Sequence, residues 1–278
     1  MGATEQNYSP YRYLSMSEQY VIIGLGLLLP FIGTIFGASC VFFFRDSIPS
    51  LVQKVMLGFA AGVMVAASVW SLLIPAMDMS ADMGKWSFFP EAVGMAIGMF
   101  FLWAIDHTLP HLHVGSNHPE GMPSGLSKHA MLLMAVTLHN IPEGMAVGIA
   151  LASALSGEVS LSLAAALSMS IGIAIQNFPE GAVVSLPLRS EGMSRKHAFG
   201  LGVLSGIVEP IGAILVLLLA HYITPLVPYL LAFAAGAMLY VVVEELIPES
   251  AEGKHSNLGT VGFAIGFILM MSLDVALG

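Results

Sequence analysis

Eight apolar runs, at roughly 19–43, 52–76, 91–110, 129–152, 161–188, 197–221, 225–248 and 258–277, occupy most of the 278 residues. Each is at or above the ~20 residues that carry a helix across a hydrocarbon core. In such a core every backbone N–H and C=O has to be satisfied internally. Continuous runs of this length meet that demand as helices. Composition argues against a soluble alternative. Only 10% of the residues are charged and the mean hydropathy is +0.84, whereas a soluble domain has about 25% charged residues. Too little polar surface is available to coat a water-soluble globule. The expected fold is an all-α membrane protein with eight transmembrane helices, a single transmembrane domain over residues 1–278. It would carry a polar N-terminal segment at 1–17 and a histidine-containing loop at 111–128.

The net charge of -9 gives no reason to expect a nucleic-acid partner. Cys40 is the single cysteine, which excludes an intrachain disulfide and any multi-cysteine zinc site. No basic segment directly precedes the first apolar run, so a cleavable signal peptide is not expected.

Turn formers mark several short connections: Asp46 to Pro49, Ser156-Gly157 and Glu191-Gly192. Eight spans put both termini on one side of the membrane, and Lys and Arg select the side. With both termini outside the cytoplasm, the inner segments hold Arg45, Lys54, Lys128, Arg189, Arg195, Lys196 and Lys254. The outer segments hold only Arg12 and Lys85. This bias assigns the protein to the cytoplasmic (inner) membrane with the loop 111–128 inside. Trp86, Phe88 and Phe89 fit an outer interfacial anchor. An inverted repeat, helices 1–3 against 6–8 around helices 4–5, is a plan compatible with this count.

Two segments inside apolar runs carry polar residues in a repeated pattern. His139-Asn140-Ile141-Pro142-Glu143-Gly144 is followed on the next run by Gln176-Asn177-Phe178-Pro179-Glu180-Gly181. His139 and Glu143 are four apart, as are Gln176 and Glu180, so each pair shares a helix face. Asn140 and Asn177 lie three before the same glutamates. Pro142 and Pro179 lack an N–H and displace the carbonyls of Leu138 and Ile175. A third glutamate, Glu209, precedes Pro210 in the sixth run. An ionised side chain at mid-bilayer costs about 2.5–3.5 kcal/mol on the lenient insertion scale. No Lys or Arg lies in the interior of any run, so the missing positive charge is protons or a bound cation. One His, three Glu, two Asn and one Gln form a nitrogen-and-oxygen donor set suited to Zn²⁺, Fe²⁺, Mn²⁺ or Cd²⁺. A lone Pro-Glu-Gly could be a kink with a protonated glutamate; two copies with matching polar neighbours favour an ion.

These residues resemble the ZIP (Zrt/Irt-like) family of divalent metal transporters, and its GufA-like bacterial branch most closely. The resemblance runs from Gly58-Phe59-Ala60-Ala61-Gly62 to Asp274 and the residues after it. It implies an eight-helix protein with a binuclear metal centre between the fourth, fifth and sixth helices. His139, Glu143, Gln176 and Glu180 would hold the first ion, with Met64 near it. Asn140, Glu143, Asn177, Glu180 and Glu209 would hold the second, and Glu143 and Glu180 would bridge. Relatives in this branch can carry Asp where this chain has Asn177, which makes the second site weaker or differently selective. The resemblance also implies an elevator-type motion of one helix bundle against the other.

Asp78 and Asp274 end the second and eighth runs on the outer side, where they could gather cations at an entrance. Ser71 lies seven residues from both Met64 and Asp78, close to two helical turns, so the three would share a face. On the inner side the family resemblance points to Asp106, His111, His113, Glu244 and Glu245 as an exit relay. The function expected is transport of a divalent transition-metal ion, zinc foremost, across the cytoplasmic membrane into the cytoplasm. Zinc would be the substrate, with Cd²⁺, Fe²⁺ and Mn²⁺ as alternatives and no organic cofactor. Divalent ions and membrane lipid are the expected partners, and a homodimer is left open. An intramembrane zinc hydrolase would want His-Glu-x-x-His, but His139 is followed by Asn and has no second His four residues on. A cation exporter or channel would share the site chemistry.

Overall fold

The computed structural model describes residues 15–44, 49–112, 120–156, 161–253 and 256–277. Arg12, Arg45, His113, His118, Gly157 and Lys254, and the expected polar segment up to residue 14, lie outside the described residues. The described chain is helical, and no strand occurs among its residues beyond one isolated bridge between His111 and Glu120.

The helices are α1 (Met16–Ala38), α2 (Ser50–Ala67), α3 (Ile74–Met79), α4 (Phe88–Thr108), α5 (Lys128–Ser156) and α6 (Leu163–Ser190). They continue as α7 (Arg195–Gly206), α8 (Val208–Ile223), α9 (Val227–Val241), α10 (Ile247–Ala251) and α11 (Leu258–Leu277). Among the described residues seven stretches are long and apolar enough to cross a membrane: Ser17–Phe42, Ser50–Met79, Phe88–Thr108, Lys128–Leu155, Arg195–Ala220, Val227–Ala251 and Leu258–Leu277. The sequence suggested eight. The one that falls short is α6, which has ample length at 28 residues but too little apolarity. Its Ser168, Ser170, Gln176 and Asn177 are buried against protein, so the helix does not need an apolar surface on that side.

Local signals explain where several helices begin. The Ser15 hydroxyl accepts from Glu18 N, while Glu18 accepts from Ser15 N at 2.7 Å, a reciprocal cap. Ser162 caps α6 and Ser194 caps α7 through their hydroxyls. Gly192 turns the chain between those helices at φ +97°, a conformation that suits only glycine well. Proline shapes the interiors. The sixth run is split at Ile207 into α7 and α8, because Pro210 cannot donate to Gly206 and displaces its carbonyl. Widened π-helical turns, Ser68–Leu73 and Val242–Leu246, stand just before Pro75 and Pro248. There the missing proline N–H is absorbed by a wider turn.

Helix pairing follows small residues. The most extensive pairings are α2 with α11, α1 with α6, α4 with α9, and α5 with α8. A Cβ on Gly58 or Gly62 would overlap the backbone of Gly259 or Phe263, so α2 and α11 touch backbone to backbone. The pairings leave two groups: α1, α5, α6, α7 and α8 in one, and α2, α3, α4, α9, α10 and α11 in the other. They meet where α2 and α11 pack on α6 and where α9 packs on α5. Met64, Ile149, Met169, Ile173, Leu231 and Met238 fill that junction.

Candidate metal centre

Both Pro-Glu-Gly segments lie inside continuous helices, α5 and α6. The glycine that ends each segment is a point of close approach. A Cβ on Gly144 would overlap the backbone of Glu209 in α8, and one on Gly181 would overlap that of Thr34 in α1. Each motif is therefore seated against a partner helix directly behind its glutamate. Asn140, Glu143, Gln176, Asn177, Glu209 and Met64 are buried, Glu180 is half-buried, and the His139 side chain is 12% exposed.

The polar contacts among these residues run between helices. Gln176 Nε2 donates to Glu143 Oε1 at 2.5 Å and to Asn177 Oδ1 at 3.4 Å. Asn140 Nδ2 donates to the Ser205 carbonyl at 3.0 Å. Asn177 Nδ2 donates to the Pro30 carbonyl of α1 at 3.3 Å. Thr34 Oγ1 donates to Glu209 Oε1 at 3.0 Å. His139 Nε2 lies 2.6 Å from Glu245 Oε1. Glu143 is within electrostatic reach of Glu180 and Glu209, and Glu180 of Glu245. None of Glu143, Glu180 and Glu209 has a Lys or Arg partner among the described residues.

Four oxygens buried in this region, Asn140 Oδ1, Glu143 Oε2, Gln176 Oε1 and Glu209 Oε2, have no hydrogen-bond partner among the described residues. All four are acceptors. A buried acceptor without a donor costs about 1–3 kcal/mol, more when charged. A set of orphan acceptors with no orphan donor among them has the chemistry of a cation site. A cavity of about 40 Å³ lies beside His139, Glu180, Glu245 and Glu249, walled by Leu57, Leu112, Leu132 and Leu246. It has room for a water-sized guest.

The structure separates some residues that the sequence grouped. Ser71 Oγ donates to Asp274, 2.9 Å and 2.8 Å from its two carboxylate oxygens, and Asp274 is 9% exposed. Asp78 is exposed while Met64 and Ser71 are buried. The π-helical turn between Met64 and Asp78 rotates the later residues, so a spacing of seven no longer returns to the same face. At the end of α4 Asp106 pairs with His111 at 2.8 Å and accepts from the Tyr240 hydroxyl at 3.0 Å. Glu245 is buried beside His139 and within electrostatic reach of Asp106 and Tyr240, and Glu244 is exposed. His113 falls outside the described residues.

Only one group of three or more His, Cys, Asp or Glu ligand atoms lies within 4.8 Å among the described residues: Asp106, His111 and Glu120. His139, Glu143, Glu180 and Glu209 do not close into such a group on their own. His139 lies against Glu245, and Gln176 donates to Glu143. Sequence reasoning missed Thr34, Pro30, Glu120 and Tyr240. A threonine or a proline carbonyl inside an apolar run carries no signal of a distant partner.

Residues 127–274 match the ZIP zinc transporter family. Zinc transporter ZIP11 of Homo sapiens is 36% identical over 87% of this chain and 93% of that protein. Zinc transporter GufA of Myxococcus xanthus is 38% identical over 80% of this chain and 86% of its own length. Zinc transporter ZIPB of Bordetella bronchiseptica is 35% identical over 91% and 81%. Taken with the helical fold and the paired Pro-Glu-Gly helices, these matches place the chain in the ZIP zinc transporter family.

Proposed function

We propose that this protein carries zinc inward across the cytoplasmic membrane through a centre built from α5, α6 and α8, with Met64 of α2 beside it. The observation that carries the reading is the set of unpartnered buried acceptors on those three helices, with no fixed cation to neutralise the three glutamates. His139, Glu143, Gln176 and Glu180 would hold the first ion. Asn140, Asn177 and Glu209, with the two bridging glutamates, would hold the second. Nitrogen and oxygen donors of this kind suit zinc, and zinc is what the relatives are named for. Cd²⁺, Fe²⁺ and Mn²⁺ are competitors to be ranked by uptake.

Zinc would be captured near Asp78 and the Ser71–Asp274 pair and exchange its waters for centre ligands. It would leave by the cavity beside His139, Glu180, Glu245 and Glu249 toward Asp106, His111 and Glu244, a route that also takes in His113. Release requires that no site hold the ion too tightly. In this reading α6 is the eighth span, sheltered from lipid, the domain is one unit over 1–278, and both termini lie outside the cytoplasm. The helix pairings support an inverted repeat. Exchanging the first three spans with the last three, and α5 with α6, turns the α1–α6 pairing into α8–α5 and α2–α11 into α9–α4. The division into two helix groups supports sliding of one against the other.

The test is uptake of radioactive zinc into proteoliposomes by wild type, Glu143→Ala and His139→Ala. Both variants should insert and lose uptake. Normal uptake in both removes the basis for the centre. Zinc leaving loaded vesicles but not entering empty ones would instead identify an exporter.

A further inference from the structure

Buried helical hydroxyls in this protein mostly bond back to their own helix. Ser68 donates to the Met64 carbonyl at 2.8 Å, Ser153 to Ile149 at 2.8 Å and Ser170 to Ala166 at 2.9 Å. Thr34 does otherwise. Its hydroxyl, on a residue 1% exposed, crosses from α1 to α8 and donates to Glu209 Oε1 at 3.0 Å. Among the described residues Glu209 Oε2 has no donor at hydrogen-bonding geometry, although the Asn177 amide lies close to the carboxylate. Only Oε1 is thus held by a well-formed bond from a neutral donor.

The packing around Thr34 fixes that arrangement. Its backbone lies against Gly181, which directly follows Glu180, and its side chain lies against Gly206, three residues before Glu209. A Cβ on either glycine would overlap Thr34. One turn earlier on α1 the Pro30 carbonyl accepts from Asn177, and the Asn177 amide also lies against Glu209. So α1, which contributes no ligand to the proposed centre, presents a donor and an acceptor to it four residues apart on one face.

We propose that Thr34 is a positioning residue for the second ion: its hydroxyl holds Glu209 by Oε1 so that Oε2 is the ligating oxygen. This rests on the two-ion reading given above. A carboxylate anchored at one oxygen binds through the other in a fixed direction. Without the anchor it rotates, and the loss of such an outer partner typically costs about 10–100-fold in metal affinity. Thr34→Val keeps the shape and removes the donor. Thr34→Ser keeps the donor.

The experiment is zinc titration of the full-length purified protein by calorimetry, taking as central those ions lost in Glu143→Ala. Wild type should bind two central ions. Thr34→Val should bind the first as wild type does and the second at least about tenfold more weakly, and Thr34→Ser should restore the second. A second ion unaltered in Thr34→Val, an equal weakening of both ions, or failure of Thr34→Ser to restore binding overturns the role of Thr34. A wild type that binds a single central ion overturns the two-ion reading itself, and the role of Thr34 with it.

Discussion

His139 Nε2 stands 2.6 Å from Glu245 Oε1, a contact that ties α5 in one helix group to the π-helical turn after α9 in the other. Both residues also border the small cavity beside Glu180. An ion at the proposed centre would compete with Glu245 for the imidazole. Glu245→Gln keeps a hydrogen-bond acceptor and removes the charge. The maximal zinc uptake rate in proteoliposomes should fall by about tenfold, the low end of what outer partners of metal ligands contribute. The half-saturating concentration should change little. An unaltered rate would take Glu245 out of the route.

The motif glycines set how close the ligand helices come. Gly144→Ala and Gly181→Ala would drive a methyl group into the backbone at Glu209 and Thr34. Such overpacking costs about 1–3 kcal/mol, read as a thermal midpoint several degrees lower and weaker zinc binding. Gly24→Ala in α1, with nothing within 4 Å of the added carbon, is the control. It should be neutral or slightly stabilising, since alanine is the better helix former. Equal effects at Gly24 and Gly144 would contradict the close packing.

Near the end of α11, Asp274 accepts from Ser71. An acid fixed at a mouth raises the local cation concentration and acts on capture, not on later steps. Asp274→Asn should therefore lower uptake several-fold at limiting zinc and leave it near wild type at saturating zinc. Ser71→Ala should give a smaller change in the same direction. A lower rate at all zinc concentrations would place Asp274 beyond capture.

Asn177→Asp tests the second ion from the other side. The new carboxylate would face the Pro30 carbonyl that now accepts from the amide, and it would stand against Glu209. The metal-free protein should be less stable than wild type, because a donor has become a charged acceptor among acceptors. Zinc should restore the stability and the second ion should bind more tightly. Differential scanning fluorimetry with and without zinc reads both. A variant that is as stable as wild type without metal would show that the Asn177 amide supports nothing.

Seven of the spans and the cluster of buried polar residues on α5, α6 and α8 were legible in the sequence, because both follow from what lipid forbids. Apolar length marked the helices, and Glu143, Glu180 and Glu209 stood out as charges with no base nearby. Three features were hidden. The wider turns before Pro75 and Pro248 cannot be read from spacing, so Asp78 fell off the face shared by Met64 and Ser71. The run 197–221 gave no sign of the break at Ile207 until Pro210 was seen to unlatch Gly206. Thr34, Pro30, Tyr240 and Glu120 take their meaning from helices far along the chain, and a hydroxyl in an apolar run reads first as bonded to its own helix.

In the proposed centre the buried carboxylates would await a mobile ion. The direct measurement is the thermal midpoint of Glu143→Gln protein with and without zinc, beside wild type. Glutamine keeps the shape and removes a buried charge that no fixed base neutralises. The metal-free variant should be more stable than metal-free wild type, with the zinc-induced rise in midpoint lost. A variant less stable than wild type without metal, with its zinc response intact, would contradict it.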